Sequence, residues 1–281
     1  MRTAAVVTTL FLALAALAHP GSAIAVGKDG IVYFVDTGGG VFSLAPDGKV
    51  TRREGPAFHW FALDPQGRFR NTPWPSIPGA ELRSAGANPT IVLSSDYPAA
   101  IGADGKFYYA QGNGNGVQLV GVDASGKRSV RATLPKVPWL HGLAAAPDGS
   151  LYYTEGRAIR RVDARGRVST LVENVAVKDC ARVPGEDPPD LRGLAVANDG
   201  LVYVTASGCA AVLRVDPDGR YGTVLRASPP WSPTAVAVAG GEVYVLEYLH
   251  TASDDRREWI PRVRKVAKSG TVTTIAQPRQ R

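Results

Sequence analysis

Long apolar runs are almost absent from this chain of 281 residues. The one that exists opens the sequence. Arg2 supplies a positive start, Ala4–Leu17 is uncharged and mostly apolar, and Ala16-Leu17-Ala18 has the small-x-small form of a cleavage signal. That combination describes a secretory signal peptide and is short for a membrane span. The mature chain is expected to begin near His19, with cuts after Ala23 or Ala25 as alternatives. No cysteine lies near the cut, so a lipid anchor there is not expected. Helical periodicity is missing too: no long stretch places apolar residues at i, i+3, i+4 and i+7. Cysteine is limited to Cys180 and Cys209, without C-x-x-C spacing, which argues against thiol redox catalysis. Charge of one sign is not concentrated anywhere. The balance of +7 and a pI near 9.5 are spread along the chain, and in Ser253–Glu258 three acids flank two arginines. No recognition motif accompanies the charge, so nucleic acid is not an expected partner. Acidic polymers and membrane surfaces stay open on charge grounds.

What the chain has is turns. It carries 31 glycines and 21 prolines against an ordinary 44% hydrophobic and 20% charged content. The pattern is clearest in His141–Val172, HGLAAAPDGSLYYTEGRAIRRVDARGRVSTLV. Gly142–Ala146 is small and apolar. Pro147-Asp148-Gly149 is a hairpin turn, because Asp-Gly tolerates the positive φ of tight hairpins. Ser150–Thr154 is rich in β-favouring residues. Ala158–Val162, a turn at Arg165-Gly166 and Val168–Val172 complete four short strands. One such sheet cannot bury both faces alone and predicts neighbours of its own kind.

Five further stretches supply them. They are Ser22–Arg53, a degenerate unit opening at His59, one opening at Tyr97, Arg192–Leu225, and one that opens at Pro233 and closes at Ala276. Their first-turn glycines, Gly30, Gly67, Gly105, Gly149, Gly200 and Gly241, recur at roughly 40 to 50 residues, the period of propeller blades. The expected fold is all-β: a single six-bladed β-propeller of four-stranded antiparallel blades over residues 19–281, after a signal peptide over 1–18.

The repeated "GLA-V--DG-VYV" core resembles NHL repeats. It is similar to the wider group of gluconolactonase/regucalcin-like hydrolases, streptogramin lyases and peptide-amidating lyases, over essentially the whole mature chain. In such propellers the innermost strand starts on the face where the second strand ends. The position eight before each first-turn glycine therefore rings the channel mouth: Ser22, His59, Tyr97, His141, Arg192 and Pro233. The position six after it lies further out on that face: Asp36, Pro73, Gln111, Glu155, Ala206 and Glu247. Polar groups converging on a concavity are the default binding site. The competing reading is that they solvate a wide mouth and cap strand ends.

His59 and His141 are candidate bases or metal ligands. The amidating lyases gather histidines from several blades around zinc. Here the blade-six position is Pro233, and His250 substitutes only if its loop folds inward. LYYTEGRAIRR, Leu151–Arg161, is similar to the repeat of streptogramin lyases. That resemblance implies that Glu155 and Glu247 hold a divalent cation while His141 is the base for β-elimination of an ester. Carboxylates suit Mg²⁺ or Ca²⁺. The gluconolactonase metal site is not recognisable, because the matching positions are Ser22, His141 and Arg192. Tyr97, Gln111 and Arg192 are candidate ligand-binding residues. For Arg192 an anion clamp and an ion pair with Asp190, Glu155 or Glu247 are both open.

Cys180 lies in the connection from unit four to unit five, and Cys209 follows the second strand of unit five. Both belong on the ring face, so a disulfide is expected. It would pin Asn174–Pro189 over the site and contribute about 3–4 kcal/mol in the chain-entropy model. Trp139 and Trp231 precede inner strands, as channel-rim stacking surfaces or as packing between blades. The long polar loop Leu249–Pro261 reads as a lid or partner contact. The whole describes a secreted or periplasmic monomer. It binds a small polar or anionic ligand at the channel mouth, with metal-assisted lyase or lactonase/esterase-type hydrolase chemistry (Mg, Ca or Zn). The alternative is a non-catalytic scaffold for a protein or a cell-envelope polymer.

Overall fold

The computed structural model describes residues 21–36, 39–53, 58–72, 74, 82–85, 88–94, 97–112, 114–135, 137, 140–249 and 259–277. The signal segment, Pro73, Trp139, His250 and the interior of the Leu249–Pro261 loop lie outside the described residues.

The chain folds as a six-bladed β-propeller. Blade one is β1 (Ile24–Val26), β2 (Val32–Asp36), β3 (Gly40–Leu44) and β4 (Val50–Arg52). Blade two is β5 (Trp60–Asp64), β6 (Leu82–Ser84) and β7 (Thr90–Ser94). Blade three is β8 (Ala99–Ile101), β9 (Phe107–Gly112), β10 (Gly116–Val122) and β11 (Arg128–Pro135). Blade four is β12 (Leu143–Ala145), β13 (Leu151–Glu155), β14 (Ala158–Val162) and β15 (Val168–Val172), the pattern read from its sequence. Blade five is β16 (Leu191–Val196), β17 (Val202–Ala206), β18 (Ala211–Val215) and β19 (Tyr221–Arg226). Blade six is β20 (Trp231–Ala239), β21 (Glu242–Leu249), β22 (Pro261–Val266) and β23 (Val272–Ala276).

Local chemistry makes the turns. At Asp148-Gly149 the glycine takes φ +81°, and the Asp148 carboxylate accepts the backbone N–H of Ser150 at 2.9 Å. The same Asx contact recurs at Asp29, Asp104 and Asp199 in the first turns, and at Asp47, Asp163 and Asp218 in the outer turns. The core is layered rather than central, with one apolar layer in each blade interface. Leu140, Leu143 and Tyr153 meet Leu119 and Leu134 between blades three and four. Ile159 and Val172 meet Leu194, Val204 and Leu213 between blades four and five.

The ring closes without strand exchange among the described residues. Blade six packs on blade one through Tyr248, Trp259 and Val263 against Phe34 and Val32. Thr234 Oγ1 donates to Gly21 O at 2.9 Å and Tyr248 Oη donates to Val35 O at 2.6 Å. These residues reach the N-terminal edge of the described chain, so the fold uses Gly21 to Val26.

Blade two departs from the repeat. Its strands lie in the order β5-β7-β6, so the neighbour of the inner strand is Thr90–Ser94 and not a strand ending at Pro73. Aromatic burial explains the diversion. Phe69 is fully buried, and its ring lies 5.5 Å from Trp74 and 6.4 Å from Phe107 of blade three. Thr72 Oγ1 donates to Ala124 O at 3.0 Å, which fixes the chain on the neighbouring blade. The stretch after Gly67 is thus a plug between blades rather than a second strand.

Candidate functional site

Two small residues set the position of the site. Gly142 leads into β12, and a Cβ there would collide with the carbonyl oxygen of Arg192 in blade five. Gly193 stands in the same relation to Ala235 of blade six. Neighbouring inner strands therefore approach backbone to backbone, which a side chain forbids. His141 and Arg192 precede these glycines and are carried to one rim.

There they meet through an acid. Asp190 Oδ1 stands 3.6 Å from His141 Nδ1, and its Oδ2 accepts Arg192 Nε at 2.6 Å. Arg192 Nη2 donates to Glu186 Oε2 at 2.9 Å. The side chains of Arg192, Asp190 and Glu186 are only 12%, 13% and 6% exposed, whereas that of His141 is 43% exposed. Burial pushes the Asp190 carboxyl up to about 6. The Arg192 charge opposes that rise, and a hydrogen bond with Glu186 and its charge add to it. Asp190 also holds φ at +46°, a conformation costing about 1 kcal/mol or more in a non-glycine residue. Its carbonyl accepts Ser207 N at 2.9 Å, which helps hold it there.

The connection from blade four to blade five delivers both acids. Cys180 and Cys209 form the expected disulfide, tying this connection to the 3₁₀ turn Ser207–Cys209. Val183 N donates to Gly208 O at 3.2 Å, and Gly208 N donates to Pro189 O at 3.1 Å. Arg226 donates to the carbonyls of Lys178 and Asp179. Below the connection lies a cleft of about 220 Å³, with His141, Arg157, Pro188, Asp190 and Leu191 in its wall. Arg157 Nη2 donates to Pro188 O at 2.8 Å, and no carboxylate pairs with it among the described residues.

No family model matches the chain. A virginiamycin B lyase of Nocardia farcinica is 30% identical over 220 residues, 78% of this chain and 67% of its own length. The chain belongs to the virginiamycin B lyase family. A solved streptogramin B lyase shares 17% identity over 93% of this chain and 84% of its own, with a TM-score of 0.54. The calcium-binding protein regucalcin of Agrobacterium tumefaciens shares 15% over 84% of each chain, with a TM-score of 0.55. At those identities the two structures establish the propeller fold that this chain shares with the virginiamycin B lyase family.

The other candidate residues are placed apart from the His141 cluster or are otherwise engaged. His59 precedes β5 in blade two, where its ring packs edge-on against Trp60 and its carbonyl accepts Ser22 N at 2.9 Å. Tyr97 lays its hydroxyl over Gly112 of blade three, and Gln111 Oε1 accepts Arg128 Nη2 at 2.6 Å. Arg192 realises the ion pair of its two open readings. Glu155 Oε2 accepts Arg160 Nε at 3.0 Å, and Arg160 also pairs with Glu173. Glu247 is fully buried. It accepts Arg262 Nε at 2.6 Å and stands 3.6 Å from Arg264, while the Arg262 guanidinium lies 3.8 Å over Trp231.

This donor set does not fit a cation. Each carboxylate expected to bind metal already has an arginine on an adjacent strand of its own blade, and a metal ion would meet that charge. No cluster of three His, Cys, Asp or Glu that could hold a metal occurs among the described residues.

Sequence reasoning named Asp190 only as a partner of Arg192, and named neither Glu186 nor Arg157 for the site. The available signals were local. Glu186 and Asp190 bracket the proline pair in Gly185–Asp190, and Arg157 lies two residues beyond Glu155.

Proposed function

We propose that this chain is a lyase-type enzyme acting on an ester at the blade four–five rim, with His141 as general base. The carrying observation is the half-exposed His141 at the edge of a cleft, with its Nδ1 facing a buried, arginine-held Asp190. Asp190 faces Nδ1 and orients the ring, and we assign the proton transfer to Nε2. In the elimination, Nε2 removes the proton α to a carbonyl. The released electron pair forms the C=C bond, the Cβ–O bond breaks, and the ester oxygen leaves with its carbonyl as a carboxylate. Arg157 supplies the positive charge that steadies the developing carboxylate. Its bond to Pro188 O fixes the guanidinium on the cleft wall. No step is routed through a metal, because the carboxylates present do not fit one.

We place this activity outside the cytoplasm. The Cys180–Cys209 disulfide supports that reading, as does the signal-like start of the sequence. The test is turnover of virginiamycin B and simpler macrocyclic esters, followed by mass spectrometry for a linear product of unchanged mass. His141→Ala is expected to lower kcat/KM by about 10²–10⁴-fold. An active protein whose turnover survives that change overturns the assignment.

One observation favours a second reading, a non-catalytic scaffold. Around the rest of the face Gln111, Glu155 and Glu247 are each held by an arginine, as in a structural rim. Absence of turnover together with retained binding of an anionic cell-envelope polymer would support it.

A further inference from the structure

The outer strands of blades three and four each bulge by one residue. It is Arg131, between Val130 and Ala132, in β11 and Leu171, between Thr170 and Val172, in β15. The carbonyl oxygens of both stand where an outer-turn glycine of the next blade lacks a Cβ, Gly166 for Arg131 and Gly219 for Leu171. The two positions are therefore equivalent, but their side chains are not. Between blades three and four the Arg131 guanidinium fills the groove. Its Nη1 donates to Ala164 O at 2.6 Å, its Nη2 donates to Gly149 O at 2.7 Å, and it lies 5.4 Å over the Tyr108 ring. Between blades four and five Leu171 is apolar and packs on the layer that Tyr152 also meets. A cleft of about 350 Å³ is left there, with Tyr152, Arg161, Ser169, Gly200 and Pro217 in its wall.

The turns of blade five repeat those of blade four. Gly149 N donates to Ala146 O as Gly200 N donates to Ala197 O, and Gly166 N donates to Asp163 O as Gly219 N donates to Asp216 O. Gly200 O and Pro217 O thus hold the places of Gly149 O and Ala164 O. Neither accepts a hydrogen bond among the described residues. Arg161 does not take over the work of Arg131. It belongs to β14 and donates to its own blade, Nη2 to Asp148 Oδ2 at 2.7 Å and Nε to Ser150 Oγ at 3.0 Å. Asp148 therefore balances its charge. Asp199, beside Gly200, accepts Leu201 N at 3.1 Å and has no ion pair among the described residues, so the turn favours a cation.

We propose that the blade four–five groove binds a guanidinium group, whose N–H edges donate to Gly200 O and Pro217 O. The groove lies at the opposite ends of the inner strands from His141, and it takes no part in the ester chemistry. A guanidinium is a planar fork that spans two acceptors, whereas an ammonium is a compact point charge. Free arginine-like compounds and the arginine side chain of a peptide share this chemistry. Arg131 shows within the same molecule how such a group sits in such a groove.

The test needs no ester substrate. The ¹⁵N-labelled full chain is titrated with ethylguanidinium, with ethylammonium, and with a short peptide of one arginine between glycines. Ethylguanidinium is expected to give saturating amide shifts at Gly200 and none at Gly149, whose groove Arg131 already fills. Ethylammonium is expected to bind about tenfold more weakly, because it forgoes one of the two directed hydrogen bonds. Leu171→Arg supplies the guanidinium from the chain itself and is expected to abolish the titration. No saturation at Gly200, equal affinity for ethylammonium, or an unchanged titration in Leu171→Arg overturns the proposal. Should Leu171→Arg fail to fold, tetramethylammonium decides on the wild type. It carries the charge without an N–H donor, so absence of saturation supports the groove and saturation equal to that of ethylguanidinium overturns it. Tighter binding of the peptide than of ethylguanidinium identifies an arginine side chain as the source, and equal binding identifies a free guanidinium compound.

Discussion

Blade six and the blade four–five rim use the same residue types in opposite proportion. In blade six a single acid, Glu247, faces two arginines, Arg262 and Arg264, with no exposed face of its own. At the rim one arginine, Arg192, faces two acids, with a half-exposed histidine beside them. Excess arginine holds the acid in place, which serves packing. We read the rim, with its excess acid and half-exposed histidine, as the place for chemistry. Burial raises the carboxyl pKa in both places, but the rim adds a second acid and a histidine. Polar clusters in the channel-mouth positions are thus not equivalent, and their charge ratio separates scaffold from site.

Removing the arginines breaks this comparison most severely. Arg262→Ala leaves buried Glu247 with only the 3.6 Å contact to Arg264 and is expected to cost about 3–5 kcal/mol in urea-induced unfolding at pH 7. Arg264→Ala should cost distinctly less, since its contact is 3.6 Å rather than a short hydrogen bond. A loss at Arg262 no larger than at Arg264 would show that the blade-six cluster is not what fixes Glu247. Next comes the disulfide. Cys180→Ser with Cys209→Ser reopens a loop of 29 residues and is expected to cost about 3 kcal/mol in the same assay. It should also lower turnover, because the connection carrying Asp190 is released. Blade six should be unaffected in its own contacts.

A smaller effect concerns pH. The Asp190 carboxyl stands near 6 when folded against 3.8 as a free side chain, so folding takes up a proton between those values. Its stabilising contribution is full below about pH 4 and lost as pH rises through 6. Unfolding free energy measured from pH 4 to 7 should therefore carry a downward component that Asp190→Asn removes. A slope unchanged by that substitution would show that Asp190 does not take up the proton. The smallest effect belongs to the outer rim. Glu155→Gln should change stability by less than about 1 kcal/mol, because Arg160 keeps its pair with Glu173 and both sites are partly exposed. A large loss there would place Glu155 with Glu247 as a locked acid.

Much of this arrangement was legible in the chain. Asp-Gly turns such as Asp148-Gly149, and the alternation around them, follow from local backbone preference and recur in blades one, three, four and five. The reading of blade four matches β12 to β15 within a residue at the strand ends. The ring placement of His141 and Arg192 followed from the repeat, whereas the close strand approach at Gly142 and Gly193 emerged from the structure. Blade two was misread because Gly67 looks like its counterparts. Burial of Phe69 against Trp74 and Phe107 of the next blade overrode that local signal. Glu186 was not found because it reaches Arg192 on a connection with no repeat of its own.

By itself the sequence determined the blade count, the turns, the cysteine pair and the repeat positions of the polar residues, because these rest on short-range conformational preference and periodicity. Only the tertiary structure decided which of those residues carry a balanced charge and which do not. That depends on arginines from adjacent strands and on a cross-linked connection, contacts made across space in a medium where each unpaired charge is costly.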